Sequence, residues 1–269
     1  MALGLGLALA QWLAFGIIGW RSAVLAEMTD ATAHEDRIAL VRYVYIDVVD
    51  FSIGRTIEAQ TWMIHALNRV VRLAISSMEI DSQKVLYLPT GDGVCVCLID
   101  LADPFDLDIR IGLSVLEQLY GLSLAQSIAE RRFAVRIGLN ENQDNLVTDI
   151  GGGLNVVGLG INSAHRIMSL AGPFQLFMGV SVHARLSQRA LYRSHLHPVD
   201  AIVKHGERML SYAYHDPSLS CFAAAPTPRR RDEEIGDGKA APPLVQLPLK
   251  GMQNARRAGA APSFRISGS

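Results

Sequence analysis

YVYIDVVDFS, residues 43–52, runs an apolar strand pattern straight into carboxylates. The stretch IALVRYVYID, residues 38–47, is β-branched and aromatic, which predicts a strand. It ends on Asp47, and Asp50 follows. Burying a carboxylate at a strand end is costly unless a partner or a ligand receives it.

Outward from this stretch, strand and helix patterns alternate. Residues 56–78, TIEAQTWMIHALNRVVRLAISSM, carry apolar side chains at three- and four-residue spacing, so a helix is expected. Residues 84–100, KVLYLPTGDGVCVCLID, are two apolar runs around an Asp92-Gly93 pair, a hairpin signal. Residues 108–131 read as a second helix, FAVRIGLN (133–140) as a strand and GINSAHRIMSLA (160–171) as a short helix. FQLFMGVSV (174–182) reads as a strand and AIVKHGERMLSYAY (201–214) as a closing hairpin. No internal repeat is visible. Strand, helix, hairpin, helix, strand predicts an α+β fold of the ferredoxin-like βαββαβ kind, with helices covering one face of an antiparallel sheet.

That order brings Asp47 at the end of the first strand near Asp92 at the hairpin tip. Two close carboxylates repel, so one takes up a proton unless a cation sits between them. Their oxygens suit hard divalent ions such as magnesium or manganese. Taken singly, Asp92 reads as a turn residue and Asp47 as a strand-end cap. On the 160–171 helix, Asn162 and Arg166 share a face, opposite an apolar stripe of Ile161, Ala164, Met168 and Ala171. An amide beside a guanidinium can polarise a phosphate. Lys204, in VKHG, is a further cation near a strand.

The whole chain sets bounds. It has 269 residues, a formal net charge of -1 and 49% hydrophobic residues. That is enough for a packed core, and a basic nucleic-acid footprint is absent. Cys95 and Cys97 share one strand face, and no zinc-like or C-x-x-C spacing occurs, so a reducing compartment without disulfides is expected. The eight histidines show no metal-ligand spacing. His165 lies nearest the proposed site.

The domain plan is threefold: 1–27, 28–216 and 217–269. Ala2 to Trp20 carries Gln11 as its one polar side chain. It reads either as a membrane anchor or as a segment preceding a true start at Met28. Both readings put the domain in the cytoplasm, and Arg21 after the apolar run agrees. Residues 217–269 are rich in alanine, proline and charge and read as a disordered tail.

YVYIDVVDFS, PTGDGV, VVGLGINSAHRI and VKHG, in this order over about residues 38 to 215, resemble the class III nucleotide cyclase catalytic domain. The resemblance implies a nucleoside triphosphate substrate, a 3',5'-cyclic nucleotide product and a homodimer with composite active sites. It implies that Asp47 and Asp92, helped by the Val48 carbonyl, hold two divalent ions, Mn2+ or Mg2+. It implies that backbone amides around Phe51 and Ser52 meet the triphosphate, that Asn162 orients the ribose, that Arg166 stabilises the α-phosphate and that Lys204 neutralises the outer phosphates.

The sequence departs from the family at three places. Asp50 stands where a glycine is usual, beside the phosphate turn. Leu88 stands where adenylate cyclases place a base-reading lysine, and a leucine makes no hydrogen bond. Asn155 stands where they place aspartate or threonine. LNENQDNLVTDIGGGLNVVG (139–158) and VKHGERMLSYAY (203–214) are similar to the pyrimidine cyclases of the Pycsar antiphage system. That likeness implies UTP or CTP as substrate, cUMP or cCMP as product, and a co-encoded cyclic-nucleotide effector. A purine cyclase with unusual base selection, and a silent cyclase fold serving as a sensing or dimerisation module, remain as alternatives. An RNA-binding ferredoxin-like domain lacks the basic surface and aromatic strand motif it would need.

Overall fold

The computed structural model describes residues 37–202 and 208–222. Within them β1 (Arg37–Val48), α1 (Ile57–Ser76), β2 (Val85–Pro89), β3 (Gly93–Ile99), α2 (Leu107–Ala125) and β4 (Val135–Thr148) form the expected βαββαβ unit. Then come β5 (Leu154–Val157), α3 (Leu159–Leu170), β6 (Leu176–Met178), α4 (Val180–Leu186), α5 (Ala190–Arg193), β7 (Leu196–Ile202) and β8 (Arg208–Tyr214). One eight-stranded sheet runs in the order β2-β3-β1-β4-β6-β8-β7, with β5 paired to β4. Most pairs are antiparallel; β4 and β6 are parallel. The fold is α+β.

Period-two alternation in β1 explains the layering. Val44, Ile46 and Val48 point to one face, where they join Met63, Leu67 and Val71 of α1 and Ile111, Val115 and Leu119 of α2. Thr56 caps α1, its hydroxyl accepting from the Ala59 N–H at 3.3 Å. Each large side chain fully buried in this layer contributes about 1.5–3 kcal/mol. Val41 and Tyr43 point to the other face, where they join Cys95, Cys97 and Ala164 of α3. Helices therefore cover both faces, not one. The expectation failed because α3 lies outside the βαββαβ unit and its apolar stripe needs a surface of its own.

Gly138 makes the approach of α3 possible. A Cβ there would lie 2.5 Å from the Ala164 carbonyl oxygen and from the Met168 nitrogen. Backbone atoms cannot rotate away, so Gly138→Ala is expected to lower stability by about 1–3 kcal/mol. A urea midpoint equal to wild type would contradict this packing.

Three other expectations shift. The polar run 140–148 continues β4 as strand, and 154–157 returns as β5. Strand β6 stops at Met178, and Val180 begins α4. Cys221 and Phe222 are buried in the main core beside Tyr214. The folded domain thus reaches at least Phe222, not 216, because two apolar side chains close the end of the sheet. Residues 1–27, Lys204 and the tail beyond Phe222 lie outside the described residues. Among the described residues no helix is long and apolar enough to cross a membrane.

Candidate active site

Asp47 sits between two strands. Its register partners are Gly93 on β3 and Arg136 on β4. It shares the face of Tyr43 and Tyr45, the α3 side of the sheet. The β2–β3 turn closes through Thr90 N–H donating to the Gly93 carbonyl at 3.1 Å, and Val48 N–H donates to the Asp92 carbonyl at 3.3 Å. A Cβ on residue 93 would overlap the Ile46 carbonyl oxygen, so glycine there lets the turn close over β1. Asp92 ends up near enough to Asp47 to raise the pKa of its carboxyl.

Asp47 is 8% exposed. Burial raises its pKa, the Arg136 guanidinium opposes that rise, and Asp92 adds to it. Arg136 donates from Nε at 2.9 Å and lies at 2.8 Å through Nη2. Sequence reading missed this residue. Within FAVRIGLN it looks like an ordinary outward side chain, and only the β1–β4 register reveals its partner.

Tyr45 lies one pleat below Asp47. Burial pushes its phenol up, the Thr90 hydroxyl pulls it partly back, and Cys95, Asp47 and Asp92 raise it again. Its ring meets His165 of α3 edge-on at 5.3 Å. His165 is therefore an aromatic contact between α3 and the sheet as well as part of an exposed helix face.

The two carboxylates fit a divalent-ion site. Both are hard oxygen donors, and Arg136 pairs with Asp47. Among the described residues no cluster of three or more His, Cys, Asp or Glu side chains could hold a metal. Magnesium-type sites that share their ion with substrate phosphates need no such cage; one or two carboxylates suffice.

The remaining candidates divide by place. Asp50 has φ 52°, a left-handed conformation that aspartate tolerates better than most residues. That explains how it occupies a usual glycine position. Its charge faces Arg55, whose pKa is lowered by burial and raised back by Asp50. Phe51 packs its ring on the main core, and Ser52 is exposed. Leu88 pairs with Cys95, which pairs with Tyr45, so the three form one row across β2, β3 and β1. Leu88 is half-buried against this apolar face. Asn155 on β5 is half-buried, its Oδ1 accepting from the Val156 N–H at 2.7 Å. Asn162 and Arg166 are exposed on α3, one turn apart, on the aspartates' side of the sheet. Asn162 donates from Nδ2 to the Gly158 carbonyl at 3.2 Å. The structure thus brings Asp47 and Asp92 together and carries Asn162 and Arg166 on a separate element.

Solved structures resemble this arrangement of strands and helices. The guanylyl cyclase Cya2 matches with a TM-score of 0.57 and 14% identity over 66% of this chain and 93% of that one. The adenylyl cyclase CyaB from P. aeruginosa matches at 0.52 and 14% identity, over 67% and 95%. The guanylate cyclase domain of RhGC from Catenaria anguillulae, solved in complex with GTP, matches at 0.51 and 16% identity, over 71% and 98%.

The chain has the fold of a class III nucleotide cyclase catalytic domain.

No family model matches the sequence, and no curated protein matches it. The cyclase fold is therefore carried by backbone geometry. At such low identity the likeness speaks for fold, and the chemistry must be argued from the residues.

Proposed function

We propose that the chain is a nucleotide cyclase, a phosphorus–oxygen lyase that converts a nucleoside triphosphate to a 3',5'-cyclic nucleotide and pyrophosphate. The observation that carries this reading is the Asp47–Asp92 pair, held by a strand register and a closed turn on the sheet face that also carries Asn162 and Arg166. Asp47, Asp92 and the Val48 carbonyl would hold Mn2+ or Mg2+. When bound, such ions neutralise the triphosphate and acidify the ribose 3'-hydroxyl.

The chain's own groups supply the rest. Arg136 orients the Asp47 carboxyl and opposes the rise that burial imposes on its pKa. Asn162 orients the ribose. The 3'-oxygen attacks the α-phosphorus, the bond to the β-phosphate oxygen breaks, pyrophosphate leaves, and the hydroxyl proton passes to solvent. Arg166 stabilises charge developing on the α-phosphate. Amides around Phe51 and Ser52, with Lys204, meet the outer phosphates. Asp47 and Asp92 come from one subunit and Asn162 and Arg166 from its partner in a homodimer.

The base in this proposal is a pyrimidine. Leu88, Cys95 and Tyr45 make an apolar row where a purine-reading lysine would otherwise reach, and Asn155 remains as a donor and acceptor. UTP or CTP would give cUMP or cCMP, a second messenger for a co-encoded effector in antiphage defence. The test is an equimolar mixture of ATP, GTP, CTP and UTP with manganese, products resolved by chromatography. Pyrimidine products support the reading. Cyclic AMP or cyclic GMP overturns the base assignment and leaves the cyclase; no cyclic product points to a silent module.

A pH dependence follows from Asp47. Its folded pKa is raised, so without metal the domain draws stability from the protonated carboxyl below the unfolded pKa. That stability is lost as pH rises through the raised folded value. Metal requires the carboxylate, so manganese affinity should climb with pH across the same window and level off above it. Calorimetry in buffers of different ionisation enthalpy should register proton release on the acid side. Affinity flat with pH would contradict Asp47 as a ligand.

A further inference from the structure

Asp144 is a buried carboxylate, 4% exposed, in the polar half of β4. It accepts hydrogen bonds from neutral donors. Oδ2 accepts from the Tyr43 hydroxyl and from the Gly160 N–H, the latter at 2.9 Å, and Oδ1 accepts from Asn142 Nδ2 at 2.5 Å. Gly160 is the second residue of α3. Its carbonyl accepts from Asn140 Nδ2 at 2.9 Å, and Asn140 is itself 8% exposed. Both backbone polar groups of one residue in the first turn of α3 are thus gripped from β4.

The fit around this grip is tight. A Cβ on residue 160 would lie 2.6 Å from Tyr43 Cε2 and 2.7 Å from Asn142 Cβ, and would overlap Asp144. Burying an ionised carboxylate is expensive, and an apolar side chain here would extend the layer of Tyr43, Leu146 and Val156. A carboxylate gains from the exposed N–H groups at a helix start. Asn162 follows two residues later, its amide tied to the Gly158 carbonyl of the same turn. Arg166 stands one turn further.

We propose that Asp144 is a positioning residue: by gripping Gly160 it fixes the height and rotation of α3 and so sets where Asn162 and Arg166 meet substrate. This rests on the cyclase reading above. A displacement of about 1 Å in such a group can cost about 100-fold in rate.

Mixed dimers separate positioning from folding. Asp144→Leu removes both acceptors. Asp144→Asn keeps one carbonyl oxygen for Tyr43 and Gly160, and the Asn142 amide can reverse to meet the new amide. Asp144→Leu alone should lose about 100-fold in kcat with KM within about threefold, while Asp144→Asn stays within about tenfold of wild type. Co-expressed with Asp92→Ala, Asp144→Leu should recover roughly a quarter of wild-type turnover: half the dimers are mixed, and each has one site with both halves intact. Co-expressed with Arg166→Ala it should recover nothing, because both defects then lie in the α3 half. An Asp144→Leu and Asp92→Ala pair that stays inactive, while an Asp92→Ala and Arg166→Ala control recovers, would overturn the proposal and make Asp144 a folding residue. A control that fails identifies the shared-site reading as the error. Homogeneous protein then decides: lowered kcat with unchanged KM and a native thermal melt upholds positioning, and wild-type kcat overturns it.

Discussion

Asp92→Ala is expected to abolish turnover, by at least about 1,000-fold, while leaving the domain folded. Asp92 sits at the β2–β3 turn, half-buried, and its contribution to the turn is its backbone carbonyl, which accepts from Val48. An alanine keeps that carbonyl. It also removes a negative charge beside Asp47, so the buried Asp47 carboxylate is left with Arg136 as a simple ion pair. The fold should therefore melt at or above the wild-type temperature. Loss of activity with unchanged or raised stability is what a metal ligand gives, and a structural turn residue would give the reverse. Circular dichroism melts beside manganese-dependent turnover make the distinction.

Arg166→Ala should lower kcat by about 100- to 1,000-fold with KM changed by less than about threefold. Arg166 is exposed on α3, outside the stripe of Gly160, Ala164, Ile167 and Met168 that seats the helix. Truncating it leaves that packing intact. Its expected part is to meet charge that develops on the α-phosphate as the leaving bond breaks, an interaction stronger in the transition state than in the bound substrate. Arg166→Lys should not restore the rate, because a point charge cannot reproduce the planar guanidinium. Steady-state kinetics on the three proteins checks this. A KM effect with kcat preserved would move Arg166 from catalysis to ground-state binding.

Much of the fold was legible because β1, α1, the β2–β3 hairpin and α2 obey simple periods. YVYIDVVDFS announced both the strand and its carboxylate, and the Asp92-Gly93 pair announced the turn that meets it. Asn162 and Arg166 were legible as one helix face. What stayed hidden depends on register. Arg136 alternates like any strand residue, and nothing local says that it faces Asp47. Asn142 and Asp144 fall in ENQDN, past the strand expected over 133–140 and with no apolar alternation of their own; they are strand because Arg37–Val48 pairs along them, and the polar side chains of Asp144 and Asn140 hold a helix start. Cys221 and Phe222 vanished into a tail composition because two apolar residues carry no period.

The most direct test of the account is a product balance. The 269-residue chain with manganese and each nucleoside triphosphate in turn should release cyclic nucleotide and pyrophosphate in equal amounts, and Asp92→Ala should release neither. A linear nucleoside mono- or diphosphate in place of the cyclic product, or equal product from Asp92→Ala, would contradict it.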